Sequence, residues 1–286
     1  MFMKVEAMFY KRLENKIHCF LCPHNCVIES GHKGKCNVRV HENEKLYTLN
    51  YGEVTSISLD PIEKKPLHYF KPGSNIFSIG SYGCNFICDF CQNYNISQSV
   101  AQSEYVSKEA MVESILKVKN NVGVAFTYNE PSIWYEYVYD CSKLLKDMNP
   151  DKDVVIVTNG YINEKPLKKL LPYVDAMNID LKSFNTGYYK ELCGGSLKPV
   201  LKTIELAAST CHVEITTLLV SEGNDRLEEI EDIGKFLSEI DRDIPLHLSR
   251  YFPRYKRDNP PTDIAFMRKA KDVAEKYLTK VSLGNI

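Results

Sequence analysis

Gly83-Cys84-Asn85-Phe86-Ile87-Cys88-Asp89-Phe90-Cys91 is the stretch that decides how this chain reads. Its three thiols, Cys84, Cys88 and Cys91, follow directly on an apolar run, Asn75–Ser81, that reads as a strand. Three thiolates on one tight loop can hold three irons of a cubane iron–sulfur cluster and leave the fourth iron without a protein ligand. An open coordination position is what separates a reactive metal site from a closed structural one. The spacing therefore predicts a 4Fe–4S cluster that binds a further molecule, rather than one that only carries electrons. The competing readings are a zinc knuckle, which wants a fourth ligand that this loop does not supply, and buried thiols.

Outward from the loop, composition narrows the classes. The chain has 286 residues, with 44% hydrophobic and 26% charged side chains, enough for one large α/β domain and a small appendage. A formal net charge of -1 offers no electrostatic footprint for nucleic acid or an anionic membrane. Lys4, Glu6, Lys11 and Arg12 interrupt any signal-peptide core in Met1–Leu13, and no later run approaches a membrane span. Of the ten cysteines, all but Cys141, Cys193 and Cys211 fall in two clusters. That pattern suits metal sites in a reducing cytoplasm better than disulfides. The three scattered cysteines read as small buried hydrophobes.

Two parts are expected. Residues 1–73 are cysteine-rich and then β-like, with strand candidates at Lys45–Leu49 and Val54–Leu59 and a turn-rich exit from Asp60 to Gly73. Residues 74–286 alternate strands and helices. The strands are expected at Asn75–Ser81, Val122–Thr127, Asp153–Thr158, Ala176–Lys182, His212–Val220 and Pro245–Phe252, with a last one at Lys280–Ile286. Ile133, Tyr137, Cys141, Leu144 and Met148 recur at helical spacing behind Pro131. Leu227, Ile230, Leu237 and Ile240 do so behind a capping-box-like Asp225…Glu228, and Phe266, Ala270, Val273 and Tyr277 form a last helix. Repeated strand–helix units mean a parallel sheet with right-handed crossovers, open or curled into a barrel.

The later strands carry a second clue. Parallel strands buried on both sides read as continuous apolar runs. Here Asn178, Asp180 and Lys182 share one face, His212, Glu214 and Thr216 a second, and His247, Ser249 and Tyr251 a third. Neighbouring polar faces predict a concave, wet cavity suited to a cofactor and substrate. Arg250 has the opposite parity.

Near the start, Cys19-x2-Cys22-Pro23-His24-Asn25-Cys26 and then Cys36 supply four sulfur donors beside His18, His24 and His32. Four donors opening on CxxC fit a closed structural site, most simply zinc; a second iron–sulfur cluster and free thiols are the alternatives.

The CxxxCxxC run, with Phe90 before its last cysteine, resembles the radical S-adenosylmethionine (radical SAM) enzymes. The whole chain is similar to the pyruvate formate-lyase activating enzyme-like branch, and within it to the AmmeMemoRadiSam group. The residues that carry this are Cys19-Phe20-Leu21-Cys22-Pro23-His24-Asn25-Cys26, Leu59-Asp60-Pro61-Ile62-Glu63-Lys64-Lys65-Pro66-Leu67 and Gly83 through Asn93. Phe126-Thr127-Tyr128-Asn129-Glu130-Pro131 and Leu283-Gly284-Asn285-Ile286 complete the set. The resemblance implies an α/β fold, a partial (β/α)6 barrel with a small cysteine-rich N-terminal lobe. It implies a 4Fe–4S cluster on Cys84, Cys88 and Cys91, S-adenosylmethionine as second cofactor, and an electron donor such as ferredoxin or flavodoxin. The implied chemistry is a 5′-deoxyadenosyl radical that takes hydrogen from a small molecule, a peptide or a partner enzyme. Many members of the group carry a further cysteine pair beyond the Gly-Asn-Ile strand, and a metal site using that pair is expected here to be absent or completed differently.

The resemblance also places residues. Asn129 and Glu130 correspond to the segment that binds the cofactor's amino group, although the two glycines usual there are absent; capping of the helix behind Pro131 is the alternative. Thr158-Asn159-Gly160 and Asp180-Leu181-Lys182 correspond to runs beside the cofactor's ribose and carboxylate. Asp180 and Lys182 read otherwise as members of a cross-strand salt bridge in the sheet. Lys182, with His247 on the inner strand face, is the candidate for a catalytic side chain, and His247 reads equally as a hydrogen-bonded core residue. A non-catalytic iron–sulfur or zinc protein is the remaining functional class.

Overall fold

The structure is a computed structural model that describes residues 4–286, so Met1–Met3 of the Met1–Leu13 run lie outside the described residues. Its centre is an eight-stranded sheet: β1 (Ser56–Pro61), β2 (Asn75–Gly80), β3 (Asn121–Phe126), β4 (Asp153–Thr158), β5 (Ala176–Asp180), β6 (His212–Leu219), β7 (Leu246–Arg250) and β8 (Val281–Gly284). The strands lie in chain order. All neighbours are parallel except β1, which runs antiparallel to β2 with Asp60 opposite Ile76 and Ser58 opposite Ser78. Among the described residues no pairing joins β8 to β1, so the barrel is partial.

Six longer helices provide the crossovers: α1 (Lys108–Lys117), α2 (Tyr135–Met148), α3 (Glu164–Leu170), α4 (Leu197–Ala208), α5 (Leu227–Ile240) and α6 (Ile264–Ala274). Local chemistry starts several of them. Ser107 accepts from the Ala110 amide ahead of α1, and Asp263 accepts from the Ala265 and Phe266 amides ahead of α6. Pro131 opens a 3-10 turn, Pro131–Ile133, that leads into α2. The expected capping box before α5 does not form. The helix begins at Leu227 with Arg226 at the cap, so Asp225 stands one residue too early to reach the first amides. Tyr277 also falls outside its expected helix, since α6 ends at Ala274; its hydroxyl donates to Glu231 instead.

The barrel interior divides along its length. Ile62 and Leu67, from the segment between β1 and β2, pack with Ile76, Ala125, Val155 and Ala176 as an apolar plug. The later strands turn polar side chains inward, as their alternation predicts, and leave the cavity described below. One expected inner residue is misplaced. β7 ends at Arg250, so the alternation no longer holds at Tyr251, which is fully buried away from the cavity and donates to the Arg257 carbonyl.

The cysteine-rich lobe consists of two small antiparallel sheets. One joins Tyr10–Arg12, Lys16–Cys19 and Val27–Glu29; the other joins Val5–Glu6, Lys45–Thr48 and Arg39–Glu42. The expected strand Val54–Leu59 is split. Glu53–Val54 pairs with Glu104–Tyr105, while β1 joins the central sheet, which therefore draws its edge strand from before residue 73. The lobe is locked to α2 by a buried ion pair: Arg39 Nη2 donates to Glu136 Oε1 at 2.6 Å and to Oε2 at 2.9 Å.

Candidate active site

The three motif cysteines line one cavity of about 690 Å3 together with the C-terminal ends of β3 and β4 and the inner faces of β5 to β8. That volume lies in the usual range for small-molecule and cofactor sites. The loop carrying the cysteines is tied down on several sides. Gly83 opens it at φ +88°, where a Cβ would come within 2.7 Å of Val38 Cγ1 and 3.1 Å of the Cys36 carbonyl. Asn129 accepts from the Ser81 amide at 3.0 Å and donates to the Gly83 carbonyl at 3.1 Å. The His24 ring bonds the Asn85 carbonyl at 2.7 Å, so the N-terminal lobe braces this loop directly.

The donor chemistry fits a thiolate-held cluster. The Phe86 amide lies 3.3 Å, and Asn159 Nδ2 3.7 Å, from Cys84 Sγ, and Ser97 Oγ lies 3.2 Å from Cys91 Sγ. Hydrogen bonds to a sulfur stabilise its negative charge, as an iron-bound thiolate requires. Cys193, expected as an isolated buried thiol, is buried but stands beside Cys88. Among the described residues no three His, Cys, Asp or Glu side chains close around a common point. The chain thus shows the donor set and its loop, not a coordination geometry. The same holds in the lobe, where Cys19, Cys22, Cys26 and Cys36 all face one small cavity of about 10 Å3 alongside His24 and Arg39.

The other expected residues converge on the large cavity. Glu130 is buried and caps the turn behind Pro131 by accepting from the Ser132 amide at 2.9 Å. It also takes Thr158 Oγ1 at 2.6 Å and the Asn159 amide at 2.8 Å, which ties the end of β4 to the segment after β3. Burial raises its pKa against these donors. Asn159 Nδ2 continues the chain to Asn85 Oδ1 at 2.9 Å. Asp180 and Lys182 form a salt bridge, 2.8 Å, with each other along one run of chain rather than across strands, and both line the cavity. Burial works against the Lys182 charge, but the Asp180 carboxylate outweighs it and holds the ammonium well above its usual pKa.

His247 is also cavity-lining and almost fully buried. Its Nε2 is 2.6 Å from Glu214 Oε2 and its Nδ1 2.6 Å from Ser282 Oγ. Glu214 further binds His212 at 2.9 Å and accepts from the His68 and Tyr69 amides. Burial alone would raise the Glu214 carboxyl; His212, His247 and the two amides overcome it and lower the pKa to about 2. Arg250 points away, as its parity predicts, and donates to the Thr262 carbonyl.

A group that the sequence reading left without a role completes the wall. Lys65 is 2% exposed, its Nζ is 2.8 Å from Asp60 Oδ2, and Tyr128 Oη donates to the same oxygen at 2.9 Å. Lys64, Lys65, His68 and Tyr128 all line the cavity. No periodic signal marked it, since Lys64 and Lys65 lie in the turn-rich segment between Pro61 and Pro66.

The Radical SAM superfamily model matches residues 78–237, from β2 into α5. The chain belongs to the radical SAM superfamily. The family implies a 4Fe–4S cluster and S-adenosylmethionine, and the chain is an enzyme of that class. An uncharacterized protein of Methanocaldococcus jannaschii is 42% identical over 98% of this chain and 85% of its own length. A second protein of that organism, provisionally named a glycyl-radical enzyme activating enzyme, is 31% identical over 73% of this chain and 80% of its own. Among solved structures, Streptococcus suis SuiB bound to its precursor peptide SuiA aligns with a TM-score of 0.58 at 15% identity, covering 72% of this chain and 47% of SuiB. Methylornithine synthase aligns at 0.52 and 16% identity, over 76% of this chain and 67% of its own. At those identities the likeness is one of fold, and it agrees with the partial barrel seen here.

Proposed function

We propose that this radical SAM protein reductively cleaves S-adenosylmethionine and uses the product to abstract hydrogen from a substrate held in the same cavity. One observation carries the reading: the Cys84, Cys88 and Cys91 loop and the polar faces of β5 to β8 bound a single cavity. When bound, the cluster and S-adenosylmethionine supply the chemistry, a reductive cleavage that releases a 5′-deoxyadenosyl radical able to take a hydrogen atom. The chain's own part is positional. Thr158, Asn159, Asp180 and Lys182 take the cofactor's polar groups, with Asn129 and Glu130 fastening the strand ends behind them. His247, held by Glu214 and Ser282, orients substrate or the adenosyl group. The electron comes from a donor such as ferredoxin or flavodoxin.

Anaerobic reconstitution with dithionite and S-adenosylmethionine should yield 5′-deoxyadenosine. Cys88→Ala should lose the cluster's visible absorption and that product while keeping its fold by circular dichroism. Product formation by the variant would overturn the reading. The 31% identical relative favours one specific form of it, activation of a glycyl-radical partner enzyme; a glycyl radical seen by electron paramagnetic resonance on an added partner would select that form.

We further propose a structural zinc at Cys19, Cys22, Cys26 and Cys36, on the ground that all four thiols face one small cavity. In Cys84→Ala/Cys88→Ala/Cys91→Ala protein, elemental analysis should find about one zinc per chain. Iron instead would indicate a second cluster, and a folded lobe without metal would show free thiols.

A further inference from the structure

We infer that the cavity contains a preformed subsite for an oxyanion, a carboxylate or phosphate of the substrate, centred on the Lys65 ammonium and flanked by Lys64 and His68. The inference rests on the proposed function and names the chemical class of its substrate. The argument begins with the number of donors. A lysine ammonium has three N–H groups. Lys65 is 2% exposed and borders the cavity, and among the described residues its one hydrogen bond goes to Asp60 Oδ2. The Tyr128 ring covers another side, its centroid 4.7 Å from Nζ. A buried ammonium with donors left over is costly unless an acceptor arrives.

Asp60 cannot provide more. Its Oδ1 takes Ser58 at 3.1 Å and Lys64 at 3.3 Å, and its Oδ2 takes Lys65 and Tyr128. Four donors fill the four lone-pair positions of that carboxylate. Asp60 therefore fixes the lysines in place and has no acceptor left for a substrate donor. The other acid on this wall, Glu63, spends Oε1 on the Gly73 amide in an exposed loop. Lys64 and Lys65 are matched in charge by Asp60 and Glu63, so what Lys65 offers a ligand is its two remaining hydrogen-bond donors.

Position supports the same assignment. Tyr128, at φ +71°, stands between the two sites. Its side chain covers Lys65, and its carbonyl accepts from Asn93 at 2.7 Å, just beyond the last motif cysteine. Asp180 and Lys182 lie on β5 and the segment after it, and the Lys64–His68 segment meets that strand at Pro66, whose carbonyl accepts from Asn178 at 2.8 Å. Lys182 is paired with Asp180 and Lys65 with Asp60, so the two ammoniums are separate anchors, and on this inference the anion on Lys65 and a cofactor at Asp180 and Lys182 occupy the cavity together.

The experiment is calorimetric titration of anaerobically reconstituted wild-type protein, at constant ionic strength in chloride, with inorganic phosphate in one arm and succinate in the other. Each arm is run with and without saturating S-adenosylmethionine. One of the two anions should bind at one site whether or not the cofactor is present, and the arm that responds tells phosphate from carboxylate. Lys65→Gln should weaken that binding at least tenfold, while Lys65→Arg retains it. Failure of both anions to bind, loss of binding when S-adenosylmethionine is present, or equal binding by Lys65→Gln would each overturn the inference. If Lys65→Gln does not fold, the wild-type arms still decide. Production of 5′-deoxyadenosine by wild-type protein without added anion tests the proposed function separately, so failure of one leaves the other standing.

Discussion

At the scale of single residues, the site is built from side chains that hold one another before any cofactor arrives. Asp180 and Lys182 are the clearest case, because each is the other's charge partner across 2.8 Å. The salt-bridge and cofactor-binding readings are not exclusive, since an ammonium with three donors can serve a carboxylate and a ligand together. Asp180→Ala and Lys182→Ala should each weaken S-adenosylmethionine binding by roughly ten- to a hundredfold, the loss of one charge-assisted hydrogen bond of about 1.5–3 kcal/mol. The cluster's absorption should stay unchanged. Equal affinity in both variants, by equilibrium dialysis, would place this wall outside the cofactor site. Glu130, read as an acceptor for the cofactor's ammonium or as a cap behind Pro131, accepts three hydrogen bonds from the chain, the capping bond from Ser132 among them, which leaves one acceptor position.

At the scale of elements, polar strand faces do two jobs. Toward the apolar plug they satisfy one another. Asn178 bonds Thr216 and the Pro66 carbonyl, and Glu214 collects His212, His247 and two amides. Toward the cluster loop they stay open to the cavity. Glu214 is the keystone, and its depressed pKa gives a pH test. A carboxyl lowered in the folded state stabilises the fold fully above its unfolded value, and that contribution is lost as pH falls through the folded value. Its stabilisation, about 3 kcal/mol for a shift from 4.5 to about 2, should be complete near neutrality and fade between those pH values. Glu214→Gln should thus be less stable than wild type at pH 7 in urea denaturation, with the gap narrowing below pH 4.5. A gap that does not change with pH would remove the carboxylate's ionisation from the account.

At the scale of the whole molecule, the cysteine-rich lobe and the barrel act as one support for the cluster loop. Gly83 packs on Cys36 and Val38, His24 bonds Asn85, and Arg39 reaches Glu136 on α2. Arg39 is 1% exposed, so removing either partner leaves a buried charge alone. Arg39→Met or Glu136→Gln should cost about 3–5 kcal/mol in denaturant unfolding, far above the 0–1 kcal/mol of a surface pair. The double variant should recover part of that loss. Single losses under 1 kcal/mol, the surface-pair range, would show that the lobe is held by its apolar contacts instead.

The sequence by itself determined the strand–helix alternation, the cluster loop and the side of each later strand that faces inward. These are local properties: periodicity follows from backbone geometry, and the three thiols are neighbours along the chain. Strand ends and the start of α5 were legible only to within a residue or two, which is why Tyr251 and Asp225 were misassigned. The tertiary structure decided what is joined across long separations. β1 pairs with β2 although it precedes the expected boundary at residue 73, because the β2 edge needs a partner for its backbone groups. Lys65, Asp60 and Tyr128 meet only when β1 and the segment after β3 are brought together across β2, and Cys193 reaches Cys88 only when the segment after β5 folds over the cluster loop. No periodicity marks such residues, since contacts distant in sequence are set by how the elements pack rather than by the pattern along any one of them.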